Sequence, residues 1–297
     1  MAAQALVGVD LGGTNVRVGK VSGEAVTARA TRRISGKAAE EVVLEEIFET
    51  IDRVIDDQVA GIGIGVPSVV DVERGIVYAV ENIPAWREVH LKERLEERYA
   101  RPAHINNDAN AFALGELHFG KGRGHRNIVG LTIGTGLGAG IIIEGRLYYG
   151  VNCGAGEIGA IPYRDHTVEA YAAGQFFQRE AGLDGGVVFE RAEKGDAEAL
   201  RLFHSFGLEV GHAIMTILYA YDPELIVLGG SISRAFAFFE GGMRERMRDF
   251  AYQHALKSLV ITCSENEDVA ILGAAAIAID ASARAGGPEA GGRGRSG

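Results

Sequence analysis

Cysteine is almost missing from this chain: Cys153 and Cys263 stand far apart among 297 residues. Two distant thiols supply neither a disulfide framework nor the ligand spacing of a structural zinc site, and they fit a reducing cytoplasm. No apolar stretch reaches ~20 residues, which argues against a membrane-spanning helix. The first residues carry no basic region followed by a hydrophobic run, so no secretory signal is read there. An excess of cations is missing as well. With a formal net charge of −10, the chain lacks the clustered basic surface that neutralises nucleic-acid phosphates. These absences predict a soluble, cytoplasmic protein with no membrane and no nucleic-acid partner. What is present is an ordinary globular balance, 47% hydrophobic and 24% charged, in a chain long enough for two lobes.

The most informative stretch is Asp10-Leu-Gly-Gly-Thr14-Asn-Val-Arg17, which follows the apolar run 6–9. A turn through Gly12 and Gly13 lets backbone N–H groups approach an anion with no Cβ in the way. Thr14 adds a donor, and Asp10 can hold Mg²⁺ directly or through water. Period-two alternation from Val16 onward continues the chain as a strand, so a phosphate would sit in a β-hairpin and not at a helix start. An ordinary Gly-Gly hairpin has the same pattern.

A second such turn follows the strand 129–133, in Gly134-Thr-Gly-Leu-Gly-Ala-Gly140 before Ile141-Ile-Ile143. Gly134, Gly136 and Ala139 match a dinucleotide fingerprint, but that motif must open a helix, and three isoleucines before Glu144-Gly145 favour a strand. A third glycine pair, Gly229-Gly230, ends the apolar run 225–228. It suits close backbone approach to a flat ligand, or a helix-start turn.

Along the chain, the first half reads as strands 6–10, 15–21 and 25–33, a helix 38–56 with Val43, Ile47, Ile51 and Val54 on its core face, and a buried strand 61–66. An irregular hairpin-like insertion (69–72, 76–80) leads to a helix 91–99, a strand 103–105 and a helix from Asp108. The second half reads as strands 128–133, 138–143 and 146–149, helices through 167–221, a strand 225–228, a helix 234–255, a strand 259–262 and a closing helix 269–283. Both halves follow β-β-β-α-β-α-β order. That duplication sets the glycine hairpins at equivalent points of two lobes, facing one cleft in which a nucleoside triphosphate fits. The lobes are expected at 1–120 and 121–268, with the closing helix 269–283 crossing back onto the first. The stretch 284–297 lacks apolar anchors and reads as a flexible tail.

Asn106-Asn107-Asp108-Ala-Asn110 falls where a strand hands over to a helix. One of these residues can be a simple N-cap. Alternatively, Asp108 accepts a proton from an attacking hydroxyl while Asn107 orients the same substrate. Glu157, bracketed by glycines in Gly154-Ala-Gly-Glu-Ile-Gly159, and Glu169, at a helix start, can accept hydrogen bonds from polyol hydroxyls. Each alone reads equally as a surface charge or a cap.

Taken in order, Asp10-Leu-Gly-Gly-Thr-Asn15, Gly65-Val-Pro67, Asn82-Ile-Pro-Ala-Trp86, Asn107-Asp-Ala-Asn-Ala111, Gly134-Thr-Gly-Leu-Gly-Ala-Gly140, Gly154-Ala-Gly-Glu-Ile-Gly159 and Leu228-Gly-Gly230 resemble the ROK family of repressors, open reading frames and sugar kinases. The likeness runs to about residue 283. It implies an α/β fold, two-lobed and of the actin-like, hexokinase-type ATPase kind, with ribonuclease H-like lobes. It also implies transfer of the ATP γ-phosphoryl group to a sugar with Mg²⁺, and a homodimer.

Carried over by position, Asp108 matches the catalytic base, and Asn82, Asn107, Glu157 and Glu169 match sugar contacts. Asp10, Gly12, Gly13, Thr14, Asn15, Gly134, Thr135, Gly136, Gly138, Gly229 and Gly230 match the nucleotide site. The family's enzymes usually carry a histidine three residues after the glutamate of Gly-Glu-Ile-Gly, with zinc cysteines beyond. Here Ala160 and the short Ile161-Pro-Tyr-Arg-Asp-His-Thr-Val168 stand instead, so zinc is not expected. His166 reads as polar surface before it reads as a substitute sugar contact. The resulting expectation is a hexose kinase acting on the glucose 6-hydroxyl. Another hexose or an N-acetylhexosamine is the first alternative, and a sugar-responsive regulator the second. A regulator of this family would carry a helix-turn-helix before the first strand, for which a strand starting by Leu6 leaves no room.

Overall fold

Val7, Val9 and Leu11 alternate along the first strand and are fully buried, which sets β1 (Ala5–Leu11) in the middle of a sheet. The computed structural model describes residues 4–285. After β1 come β2 (Asn15–Ser22), β3 (Ala25–Arg33), α1 (Glu40–Ile51) and β4 (Val59–Val66). A small three-stranded insertion follows, made of β5 (Val70–Asp71), β6 (Ile76–Tyr78) and β7 (Glu88–Val89). Then come α2 (Leu91–Tyr99), β8 (Ala103–Asn107) and α3 (Asp108–Phe119). The sheet runs β3-β2-β1-β4-β8, with an antiparallel meander on one side and parallel β4 and β8 on the other. α1 buries Val43, Leu44, Ile47 and Ile51.

The second half repeats this plan with β9 (Ile128–Ile133), β10 (Leu137–Ile143), β11 (Arg146–Tyr148), a hairpin of β12 (Pro162–Tyr163) and β13 (His166–Thr167), α4 (Val168–Ala172), α5 (Gln175–Ala181), α6 (Gly185–Glu193), α7 (Ala197–Tyr221), β14 (Leu225–Gly229), α8 (Phe236–Met247), β15 (Val260–Cys263) and α9 (Val269–Ala285). Its sheet, β11-β10-β9-β14-β15, has the same succession of antiparallel and parallel pairs.

Three helices end differently from expectation. The first stops at Ile51 instead of 56, and the chain turns there so that Val54 still enters the core. α8 stops at Met247 instead of 255, where polar Arg248 and Asp249 are followed by Phe250 folding back into the core. α9 runs two residues past 283. Arg284 holds that last turn by pairing with Asp280 at 2.7 Å, donating to the Leu147 carbonyl and covering the Tyr149 ring. The rest of the expected tail lies outside the described residues.

The two sheets are joined through α3 and α9. α9 packs on β1, β4 and β8 and along α3, while α3 also touches β9 and β10. Glycines allow the approach: a Cβ at Gly8 would overlap the Ile271 carbonyl oxygen, and one at Gly63 the Ala274 carbonyl oxygen. At Gly140 a Cβ would meet α3 itself. No helix among the described residues is long and apolar enough to cross a membrane.

Candidate active site

Asn107 ends β8 in extended backbone, and its Oδ1 accepts from the N–H groups of Ala109 (2.8 Å) and Asn110 (3.4 Å), which makes it the N-cap of α3. The cap occupies the oxygen. Nδ2, 3.4 Å from the Ser68 carbonyl oxygen, is the donor left for a ligand. Behind it, Asn106 and Asn110 are buried and bonded to each other at 2.9 Å, and the Cys153 thiol donates to the same Asn106 oxygen at 3.4 Å. This network fixes the first turn of α3, the turn that carries Asp108.

Asp108 accepts from the Ala109 N–H at 2.8 Å and faces the cleft between the sheets. The residue is exposed to the cleft it lines, yet protein atoms crowd around its carboxyl. Burial, with the Asp10 and Glu157 charges adding to it and the Ala109 N–H opposing it, raises the group from 3.8 to about 6. Among the described residues, no cation lies within ion-pair distance of Asp108. A carboxyl held that way is poised to take a proton near neutral pH.

Around Asp108 a cavity of about 530 Å³ is lined by Asp10 and Arg17 from the first sheet and by Thr132, Gly229, Gly230, Ser231 and Ser233 from the second. Ser231 also borders a neighbouring cavity of about 450 Å³, whose walls include Gly134, Thr135, Gln175, Phe177, Gly185, Phe189 and Arg234. The first cavity therefore takes its walls from both halves, and Ser231 borders it and the second alike. Gly230 has φ +81°, and a Cβ there would overlap the Ile133 carbonyl oxygen, so only glycine makes this turn. Gly138 and Gly229 serve the approach of α3, abutting Ala109 and Phe112 respectively.

Both glycine segments form the bends of antiparallel hairpins with a strand returning, and the dinucleotide alternative has no helix to support it. Gly12 N–H closes the first on the Asn15 carbonyl at 2.9 Å, and Gly134 N–H the second on the Gly136 carbonyl at 3.0 Å. Thr14 and Asn15 are exposed at the first tip. Asn82 lies against this hairpin, its Nδ2 only 2.5 Å from where a Cβ on Gly13 would be. The Glu169 carboxylate lies beside Gly136 and accepts from the Leu137 N–H at 3.4 Å. Burial and the Glu169 charge raise Glu157, and the Glu157 charge in turn helps to raise Asp108. Asn82, Asn107, Glu157 and Glu169 do not line either cavity; they flank Asp108 and the hairpins. His166 is exposed beside Asp165 at 3.7 Å.

Sequence reasoning passed over Arg17, Thr132, Ser231 and Ser233. Arg17 had a signal: in the hairpin register it sits opposite Asp10, and its guanidinium binds that carboxylate at 2.6 Å. Ser231 simply follows the glycine pair, and nothing local marks Thr132.

A Mg²⁺ ion carried by a triphosphate needs only one or two carboxylates, the remaining ligands being phosphate oxygens and water. Asp10, near the end of β1 and lining the cavity, fits that demand. Zinc has no such donors: no group of three or more His, Cys, Asp or Glu able to hold a metal occurs among the described residues.

The chain matches the ROK family model over residues 6–281. It is 34% identical to a glucokinase of Thermotoga maritima, over 92% of this chain and 96% of that one. A xylose repressor of Bacillus subtilis is 30% identical over 74% of this chain and 61% of its own length. In three dimensions it superposes with a TM-score of 0.78 and 27% identity on a ROK family glucokinase of Streptomyces griseus in complex with glucose and AMPPNP, covering 91% of this chain and 98% of that one. With duplicated sheets, paired glycine hairpins and this likeness over its whole core, the chain belongs to the ROK family.

Proposed function

We propose that the chain is an ATP-dependent hexose kinase that transfers the γ-phosphoryl group to the 6-hydroxyl of glucose. The observation that carries this reading is Asp108, set at the start of α3 in a cavity to which both sheets contribute, with its proton affinity raised. The names of the Thermotoga relative and of the glucose-bound Streptomyces neighbour support glucose and ATP.

Glu157, Glu169, Asn82 and Nδ2 of Asn107 would hold the sugar hydroxyls around Asp108. The second cavity, with Phe177 and Phe189 among its walls, suits a flat base, and the shared Ser231 lies where phosphates would pass toward Asp108. Asp108 takes the hydroxyl proton as the oxygen attacks the terminal phosphorus. Arg17 and the hairpin N–H groups stabilise the phosphate oxygens as charge shifts onto the leaving group. Mg²⁺ carried by the nucleotide would neutralise charge on the phosphates, and Asp10 is the group that would hold it.

The test is ADP release with Mg²⁺-ATP across glucose, mannose, fructose, allose and N-acetylhexosamines. A preference of at least ~10² for glucose is expected, because a site built to pair hydroxyls rejects epimers that leave buried polar groups unpaired. A different preferred sugar replaces glucose and keeps the chemistry. The likeness to a xylose repressor supports a second reading, a sugar-responsive regulator; sugar binding with no ADP release under any condition would select it. The homodimer is tested by light scattering of the purified protein.

A further inference from the structure

Residues 158–168 connect Glu157 to Glu169, and among the described residues no cation lies within ion-pair distance of either carboxylate. Two like charges at the ends of a short connection stay together only if that connection is anchored. Metal does not anchor it, since the donors are missing.

A stack of alternating rings and cations takes that place. The β12–β13 hairpin pairs Pro162 with Thr167 and Tyr163 with His166, and the Val168 N–H closes its base on the Ile161 carbonyl at 2.9 Å. At its tip Arg164 has φ +52°, the left-handed backbone that a two-residue hairpin turn takes at its first central residue. Its guanidinium lies 4.7 Å from the Tyr163 ring and 4.9 Å from Tyr171, and Arg179 covers Tyr171 at 4.1 Å. Tyr163 in turn stacks on His212 of α7, with centroids 4.0 Å apart and planes at 21°. Arg164 also reaches Glu209 of α7 at 3.0 Å. That carboxylate is nearly buried, and its second oxygen has no hydrogen-bond partner.

We propose that Tyr163, Arg164 and Glu209 form a metal-free clamp that fixes the hairpin to α7 and thereby holds Glu157 and Glu169 together at the sugar end of the site. Arg164 and Glu209 line neither cavity of the cleft and act as positioning residues. The clamp's consequence for sugar rests on the kinase reading above; its ordering of the segment does not.

The experiment compares Arg164→Gln, Arg164→Lys and Glu209→Gln with the parent chain by hydrogen exchange without ligand and by steady-state kinetics. Exchange of the 158–172 amides is expected to quicken in Arg164→Gln. Glucose KM should rise about tenfold, the usual cost of removing a supporting contact behind a ligand-binding group, while ATP KM and kcat stay near the parent values. Arg164→Lys, which keeps the charge without the planar fork, should recover part of the loss. Adding Glu209→Gln to Arg164→Gln should change little further, because the two share one interaction. Unchanged exchange at 158–172, or faster exchange with unchanged glucose KM, overturns the proposal. If the parent chain phosphorylates no sugar, the kinase reading falls, and the exchange comparison still decides whether the clamp orders the segment.

Discussion

Asp108 trades stability for reactivity. Its folded-state value of about 6 stands above the ordinary 3.8, so the folded chain binds that proton more tightly than the unfolded one. Its contribution is therefore fully favourable below pH ~4 and fades as pH rises through ~6. Asp108→Asn should raise Tm at pH 7 while lowering kcat by about 10²–10⁴, as read by calorimetry and ADP release. The same ionisation gives kcat/KM an acid limb near pH 6, with activity lost below it. Glu157→Gln, by removing a neighbouring charge, should shift that limb to lower pH. Arg17 is a second point of leverage, since its grip on Asp10 must loosen for that carboxylate to meet a metal. Arg17→Gln should lower the Mg²⁺ concentration needed for half-maximal nucleotide binding, measured calorimetrically without sugar. It should also cut kcat by about 10²-fold through loss of a donor to the phosphates. Asp108 was legible because strand, cap and helix meet at one place in the sequence. Arg17 was not singled out, because its pairing with Asp10 shows only when the register across the hairpin is laid out, which alternation along one strand does not do.

At the scale of elements, strands were easier to read than helix ends. The alternation of β2 and the buried run of β4 are set by neighbours in sequence, whereas the ends of α1 and α8 depend on where Val54 and Phe250 find the core. The long helical stretch 167–221 breaks at Gly174, Gly182 and Gly195, with Asp184 and Asp196 capping the helices that follow. The clamp hairpin escaped sequence reading altogether, since Tyr163, Arg164 and Glu209 meet only across the fold. Close element packing gives a direct prediction. Gly63→Ala drives a methyl into the backbone of α9 and should cost about 1–3 kcal/mol or more, measured from urea midpoints. Gly154→Ala, which enters open space, should stay within about 0.5 kcal/mol of the parent.

For the whole molecule, the repeated sheet order was legible because each half carries its own succession of strand and helix signals, while the pairing of the halves around one hollow is a property of α3 and α9. A ligand that touches both sheets should stabilise them jointly. Glucose or AMPPNP at about 100 times its Kd is expected to add about 2.7 kcal/mol, seen as an upward step in Tm with each, and no step with either would remove that ligand from the cleft. The seat of α9 has one more consequence. Its Ile271, Leu272 and Ala275 cover Val21 and the open side of β1 and β4, so the sheet that leaves the ribosome first waits for the last helix to emerge before it is sealed. Ala276 and Ile277 of the same helix pack with Ile128, Leu225 and Val227 of the later-made sheet, so neither half is fully covered until α9 is in place.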